Sequence, residues 1–193
     1  MERRGNFAAA IPLFKSVLRT APGNVQAVLG LERALLPLGR TSEFVPALQA
    51  ALAASPKEPA LYGAAIRTWG TLGQPDSVRR AAEGWASVQP GEETPYREWG
   101  NALLLRKDRT GARQAFLTGR QRLGRPDALA PELAELAALE GDFPTSAREW
   151  LLAMKKLPGY RASALAYLRT APESQRKDVL AAIAKDPSPE AHR

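Results

Sequence analysis

A step of 34 residues recurs along this chain and limits what it can fold into. Three prolines keep the step, namely Pro22, Pro56 and Pro90, and three glycines keep it too, namely Gly5, Gly39 and Gly73. Lys107 takes the place where the next glycine would fall, and Gly141 resumes the series. A period of this size is typical of stacked helix pairs, because one pair cannot bury its apolar face alone.

Apolar residues at helical spacing fill the stretches between these prolines and glycines. In the segment 25–38 they are Val28, Leu31, Leu35 and Leu38, and Gly39 follows as a helix-ending glycine. No stretch alternates as a strand would, so we predict an all-α fold of antiparallel helix pairs. The four tryptophans, Trp69, Trp85, Trp99 and Trp150, fall on the inward positions of this pattern, and we predict that they fill the core.

The step also divides the chain, which we predict to be one domain over residues 1–193. Full repeats are predicted at 25–58, 59–92, 93–126 and 127–160, followed by a short capping helix pair at 161–185 and a tail at 186–193. Residues 1–24 form a half repeat that supplies only a second helix. Either the chain is a piece of a longer protein, or another surface covers the apolar Phe7–Phe14 face. Left uncovered, that face is expected to drive self-association.

The third and fourth repeats carry a family resemblance. The residues concerned are Tyr96, Trp99, Gly100, Asn101, Leu103, Ala112 and Phe116 in the third, and Gly141, Asp142, Phe143, Trp150, Ala153 and Pro158 in the fourth. With the period, they make nearly the whole chain resemble a tetratricopeptide-repeat protein. The resemblance implies a right-handed superhelical α-solenoid. It also implies that the first helices of the pairs line a concave groove, which takes a peptide or protein segment.

The residues expected to point into that groove follow from the 34-residue step. They are Leu29, Arg33, Leu36, Arg67, Arg97, Asn101, Leu104, Glu135 and Arg169. Arginines can hold carboxylates through two hydrogen bonds, and leucines can bury apolar side chains of the same ligand. We expect Arg67→Glu with Arg97→Glu to weaken partner binding and leave helicity intact. Alternatively, these two arginines only pair with neighbours such as Glu98.

A basic stretch runs from Arg106 to Arg125 in a chain with a net charge of +7. Four of its arginines are assigned to a basic patch on the convex side: Arg106, Arg109, Arg113 and Arg120. This patch is either a solvated face or a docking site for an acidic protein. Nucleic-acid binding is not favoured, because it also needs exposed aromatic rings, and the one aromatic residue here, Phe116, belongs to the core pattern.

The sequence contains few of the residues that usually carry out catalysis. There is no cysteine, and the single histidine, His192, lies in the predicted tail. Glu132 and Glu135 are three residues apart, which is more typical of a solvated acidic stripe than of an acid–base pair. We therefore predict no enzyme, no catalytic residue, no metal site and no cofactor.

The compartment and the assembly state stay open. No run of about 18 apolar residues is present to span a membrane, and the absence of cysteine fits the cytoplasm and the periplasm equally. A second interpretation is therefore a structural module of a bacterial envelope or export complex. A third is a repeat protein that binds polyanions, whose affinity would fall steeply with salt.

Overall fold

The computed structural model describes residues 7–185, and every regular element within that range is a helix. Residues 1–6 and 186–193 lie outside the described range, and with them the predicted tail and His192. The described residues fall into two compact units, the first ending at Lys107 and the second beginning at Asp108.

The first unit contains six α-helices. They are α1 (Phe7–Thr20), α2 (Val25–Leu35), α3 (Val45–Ala54), α4 (Pro59–Leu72), α5 (Pro75–Val88) and α6 (Thr94–Leu104). A 3-10 turn at Leu36–Leu38 prolongs α2, because Pro37 has no N–H with which to continue the α-helix. A second 3-10 turn, Thr41–Phe44, leads into α3.

The second unit contains five α-helices. They are α7 (Arg109–Leu123), α8 (Ala130–Leu139), α9 (Phe143–Lys156), α10 (Arg161–Leu168) and α11 (Glu173–Ala184), with a 3-10 turn at Pro158–Tyr160 before α10. The helices α7 and α9 begin two residues after Lys107 and Gly141, the last two positions of the glycine series.

Side-chain caps and left-handed residues define the helix ends. The Asp108 carboxylate accepts a hydrogen bond of 2.8 Å from the Gly111 N–H, and Asp142 accepts one of 3.0 Å from the Thr145 N–H. These bonds satisfy backbone donors that the first turns of α7 and α9 leave open. The turn glycines Gly39, Gly73, Gly124 and Gly141 all have positive φ. Lys107, the residue in the glycine series that is not a glycine, shares this conformation with a φ of 63°.

Lys107→Gly is expected to raise the free energy of unfolding by about 0.5–1 kcal/mol, as seen by urea denaturation. A side chain in the left-handed region costs roughly 1–2 kcal/mol, and the greater freedom of glycine in the unfolded chain offsets part of that gain. Gly124→Ala is the matched control, since Gly124 has the same φ and no atom near its would-be Cβ. Gly124→Ala should lower the free energy of unfolding. If Lys107→Gly is no more stable than the parent chain, the backbone at Lys107 is not strained.

Close helix contacts in the first unit depend on small residues facing large rings. A Cβ at Gly30 would overlap the Phe14 ring of α1, and one at Gly84 would lie 2.5 Å from the Tyr62 ring of α4. The pairs α1–α2 and α4–α5 therefore pack closely because the small residue leaves room for the ring.

The second unit is built around Trp150 of α9. Its side chain is 1% exposed and packs in a cluster with Ala130, Ala134, Ala153 and Ala164. The rings of Tyr160 and Tyr167 contact the indole at centroid distances of 6.1 and 5.6 Å. Trp99 is also buried, whereas Trp69 and Trp85 are half-buried. The core prediction for the tryptophans thus holds fully for two and partly for the other two.

Candidate functional site

The first unit holds a pocket of about 400 Å³ between α4 and α6. Leu36, Ile66 and Leu105 form its apolar walls, and Arg67, Glu98 and Arg106 supply its charges, with Asn101, Gly70, Thr71 and Ala102 completing the lining. Leu36, Arg67 and Asn101 are groove residues predicted from the sequence. The structure therefore brings three of the nine predicted groove residues together here.

Arg67 is held by Glu32 of α2 rather than by Glu98. Its Nε and Nη2 each donate a hydrogen bond of 2.8 Å to a carboxylate oxygen of Glu32. Glu32 is only 4% exposed, whereas about half of the Arg67 side chain remains in contact with solvent. Hydrogen bonding to Glu32 raises the pKa of Arg67 despite its partial desolvation. Arg67 thus joins α2 to α4, and its charge is balanced within the fold.

The other predicted groove residues of this unit lie outside the pocket lining. Arg97 donates a hydrogen bond of 3.1 Å to Glu93, one turn earlier. Arg33 is exposed on α2, while Leu29 on α2 and Leu104 at the end of α6 are half-buried. The alternative in which Arg67 and Arg97 pair within the chain is therefore the observed geometry, although their partners are Glu32 and Glu93.

Leu105 and Arg106 are two of the seven pocket residues that the predicted groove did not include. Leu105 follows α6 and is 88% exposed, far more than any other leucine described. Arg106 is exposed, and its guanidinium lies against the α4–α5 turn, where a Cβ at Gly73 would be 3.0 Å away. Among the residues described, Arg106 has no side-chain hydrogen bond or ion pair. The spacing assigned it to a convex patch, but the structure places it beside Arg67 and Asn101.

Three of the four arginines of α7, namely Arg109, Arg113 and Arg120, are engaged within the second unit. Arg109 donates to the Leu139 carbonyl oxygen at 3.3 Å, and Arg113 pairs with Glu140. Arg120 makes two hydrogen bonds of 2.8 and 2.6 Å to Glu149 and a third of 2.9 Å to the Ala128 carbonyl oxygen. These contacts fasten α7 to the helices that follow. Each of the three side chains therefore has a partner within the unit, Arg109 nevertheless stays exposed, and the convex basic patch stays a prediction.

Two predicted groove residues belong to the second unit. Glu135 of α8 is exposed at its surface, yet partial burial of its carboxyl and the charge of Glu132 raise its pKa. Burial and the Glu135 charge also raise the pKa of Tyr167 in α10. Arg169 is exposed at the end of α10. The described contacts do not gather these residues into a pocket.

The apolar face of α1 differs from the expected one. Phe14 packs against Gly30 of α2, and Ala10 and Ile11 are buried. Leu13 and Val17, one turn apart, are the large apolar residues that α1 leaves exposed. Self-association through this helix stays a prediction, and its surface is centred on Leu13 and Val17 instead of the Phe7–Phe14 face.

Between residues 7 and 185, no three side chains of His, Cys, Asp or Glu are placed to hold a metal ion. None of the helices described there has the length and apolarity needed to cross a bilayer.

Comparison with known proteins agrees with the helical-repeat fold described above. The tetratricopeptide repeat family profile matches residues 3–68. The fold is similar to the crystal structure of a thermophilic TPR protein from Thermus thermophilus, with a TM-score of 0.52 and 18% sequence identity. That match covers 86% of this chain and 92% of the other. No curated protein sequence matches the chain. The predicted all-α repeat fold is confirmed.

Proposed function

We propose, from the premise that this chain is a tetratricopeptide-repeat protein, that it is a non-enzymatic scaffold which binds a peptide or protein segment in the α4–α6 pocket. Proteins of this family generally serve as interaction scaffolds and are typically not enzymes. The observation that carries the proposal is that the exposed Leu105 and Arg106, which has no described ion pair, line the same pocket. A large apolar side chain in water beside an unengaged cation is a feature that a ligand can use.

The chemistry of the pocket indicates how a segment would bind. Leu36, Ile66 and Leu105 can take an apolar side chain out of water. The Arg106 guanidinium can then donate two parallel hydrogen bonds to a carboxylate of the same segment. Arg67, already balanced by Glu32, contributes shape and donor groups rather than net charge. Ile66 and Arg67 lie within α4, and backbone hydrogen bonds hold Leu105 and Arg106 in the turn that follows α6, so binding needs little backbone rearrangement.

The geometry also changes which substitution tests the proposal. Arg67→Glu, suggested by the sequence, would place a second carboxylate against the buried Glu32 and destabilise the α2–α4 contact. Loss of binding would then report misfolding as readily as loss of a ligand contact. Leu105 and Arg106 are exposed and make no described side-chain hydrogen bond or ion pair, so they are the better positions to change.

We expect Leu105→Ser and Arg106→Glu each to weaken binding about tenfold, which corresponds to about 1.4 kcal/mol. The ligands would be peptides selected on the intact chain from a displayed random library, with affinities measured by calorimetry and helicity checked by circular dichroism. Leu139→Ser and Arg122→Glu are matched controls, since both residues are exposed in the second unit. Selected peptides that bind all four variants equally well would show that the pocket is not the binding site.

A further inference from the structure

The charges around the α4–α6 pocket divide into a satisfied pair and two unsatisfied groups. Glu32 and Arg67 bind one another through two hydrogen bonds. Glu98 is half-buried, and its one described interaction is a longer-range attraction to Arg67. Arg106 has no partner among the described residues. The Glu98 carboxylate has no hydrogen bond or ion pair among the described residues, so it can accept a cation from outside the chain.

The distance between the two unsatisfied groups sets a length for the ligand. Glu98 and Arg106 are eight residues apart on α6 and the hydrogen-bonded turn that prolongs it. At 1.5 Å per residue, that separation is about 12 Å along the helix axis. An extended peptide advances about 3.3 Å per residue, so residues i and i+4 are about 13 Å apart. Residues i, i+2 and i+4 also point to the same side of an extended chain.

We infer, building on the proposed function, that the pocket binds an extended protein segment with an acid–x–apolar–x–base pattern. The acidic side chain pairs with Arg106, the apolar one packs against Leu36, Ile66 and Leu105, and the basic one pairs with Glu98. The partner is therefore a segment of mixed charge. A purely acidic segment, which the net charge of +7 favours, would place a carboxylate against Glu98. The two carboxylates, Glu32 and Glu98, balance the two guanidinium groups of Arg67 and Arg106. The net charge at the pocket is therefore zero and gives no preference for an acidic partner.

Three synthetic peptides test this assignment on the intact chain. They share one length, acetylated and amidated ends, and a central leucine, with the residues two positions before and after it being Glu and Lys, Glu and Glu, or Lys and Lys. We expect the mixed peptide to bind the parent chain about five- to tenfold more tightly than either of the others. Blocked ends remove the terminal charges, so the comparison depends on side chains alone.

Substitution of each charge should redirect the preference. Glu98→Lys is expected to make the peptide with two glutamates the tightest ligand, and Arg106→Glu to make the one with two lysines the tightest. Two opposite changes in preference cannot arise from general destabilisation of the pocket. Glu92→Lys and Arg122→Glu are the controls, since both residues are exposed outside the pocket lining, and the parent preference should persist in them.

The outcomes separate this inference from the proposed function. Equal binding of the three peptides, with affinity lost in Leu105→Ser, would overturn the charge pattern and leave the pocket as the site. The same conclusion follows if the designed peptides fail to bind while library peptides that depend on Leu105 lack the acid–apolar–base pattern. If no library peptide depends on Leu105 or Arg106, the proposed function falls and this inference with it.

Discussion

Trp150→Ala is expected to lower the free energy of unfolding of the second unit by about 3–5 kcal/mol. The indole is 1% exposed and surrounded by four alanines, which are too short to fill the space that its removal would leave. The stacked Tyr167 ring would also lose its partner. Urea denaturation followed by circular dichroism would measure the change.

Trp150→Phe is a control that keeps most of the aromatic ring and breaks no described hydrogen bond of the indole. The Trp150 Nε1–H is buried and has no hydrogen-bond partner among the described atoms. Phenylalanine removes that polar group and keeps most of the ring, so its cost should be well below that of alanine. A loss of less than about 1 kcal/mol for Trp150→Ala would mean that the second unit does not depend on this side chain.

Arg120→Ala is expected to cost the second unit about 3 kcal/mol, because it leaves a largely buried carboxylate without its partner. The Arg120 and Glu149 side chains are 18% and 14% exposed and share two hydrogen bonds. The substitution also removes a donor from the Ala128 carbonyl oxygen. Chemical denaturation would give the change in the free energy of unfolding.

Two further variants test the reason for that loss. Arg122→Ala removes an exposed arginine from the same helix and should change stability by less than about 0.5 kcal/mol. Arg120→Met combined with Glu149→Met removes both charges and keeps apolar volume, so it should cost less than Arg120→Ala alone. If the double variant is the less stable one, the ion pair itself stabilises the unit beyond its packing.

The periodic features of the chain could be predicted because they depend on local preferences. Proline and glycine at a constant step mark the boundaries of helices, and α5, α7 and α9 each begin two residues after a position of the glycine series. The step even predicts that Lys107 stands at a glycine position, where the backbone has positive φ. Pro37 explains a departure within α2, since its missing N–H ends the α-helix early and leaves a 3-10 turn.

The pairing of side chains between repeats could not be obtained in the same way. Sequence spacing offered Glu98 as the partner of Arg67, yet the partner is Glu32 of the preceding repeat. The choice depends on how far α2 and α4 slide along one another, which the 34-residue step does not specify. Similarly, α6 ends at Leu104, so the exposed leucine is Leu105, one residue beyond the predicted groove position. A one-residue shift on a helix turns a side chain by about 100°.

The pair between Glu32 and Arg67 limits how freely the repeats of the first unit can be shuffled by protein engineering. The two residues are 35 positions apart, so a cassette of residues 25–58 carries one half of the contact and leaves the other behind. Moving that cassette into another protein would carry Glu32 without Arg67, and removing it from this chain would leave Arg67 without Glu32. Repeats of this chain are therefore interchangeable only as overlapping blocks that keep both members of the ion pair together.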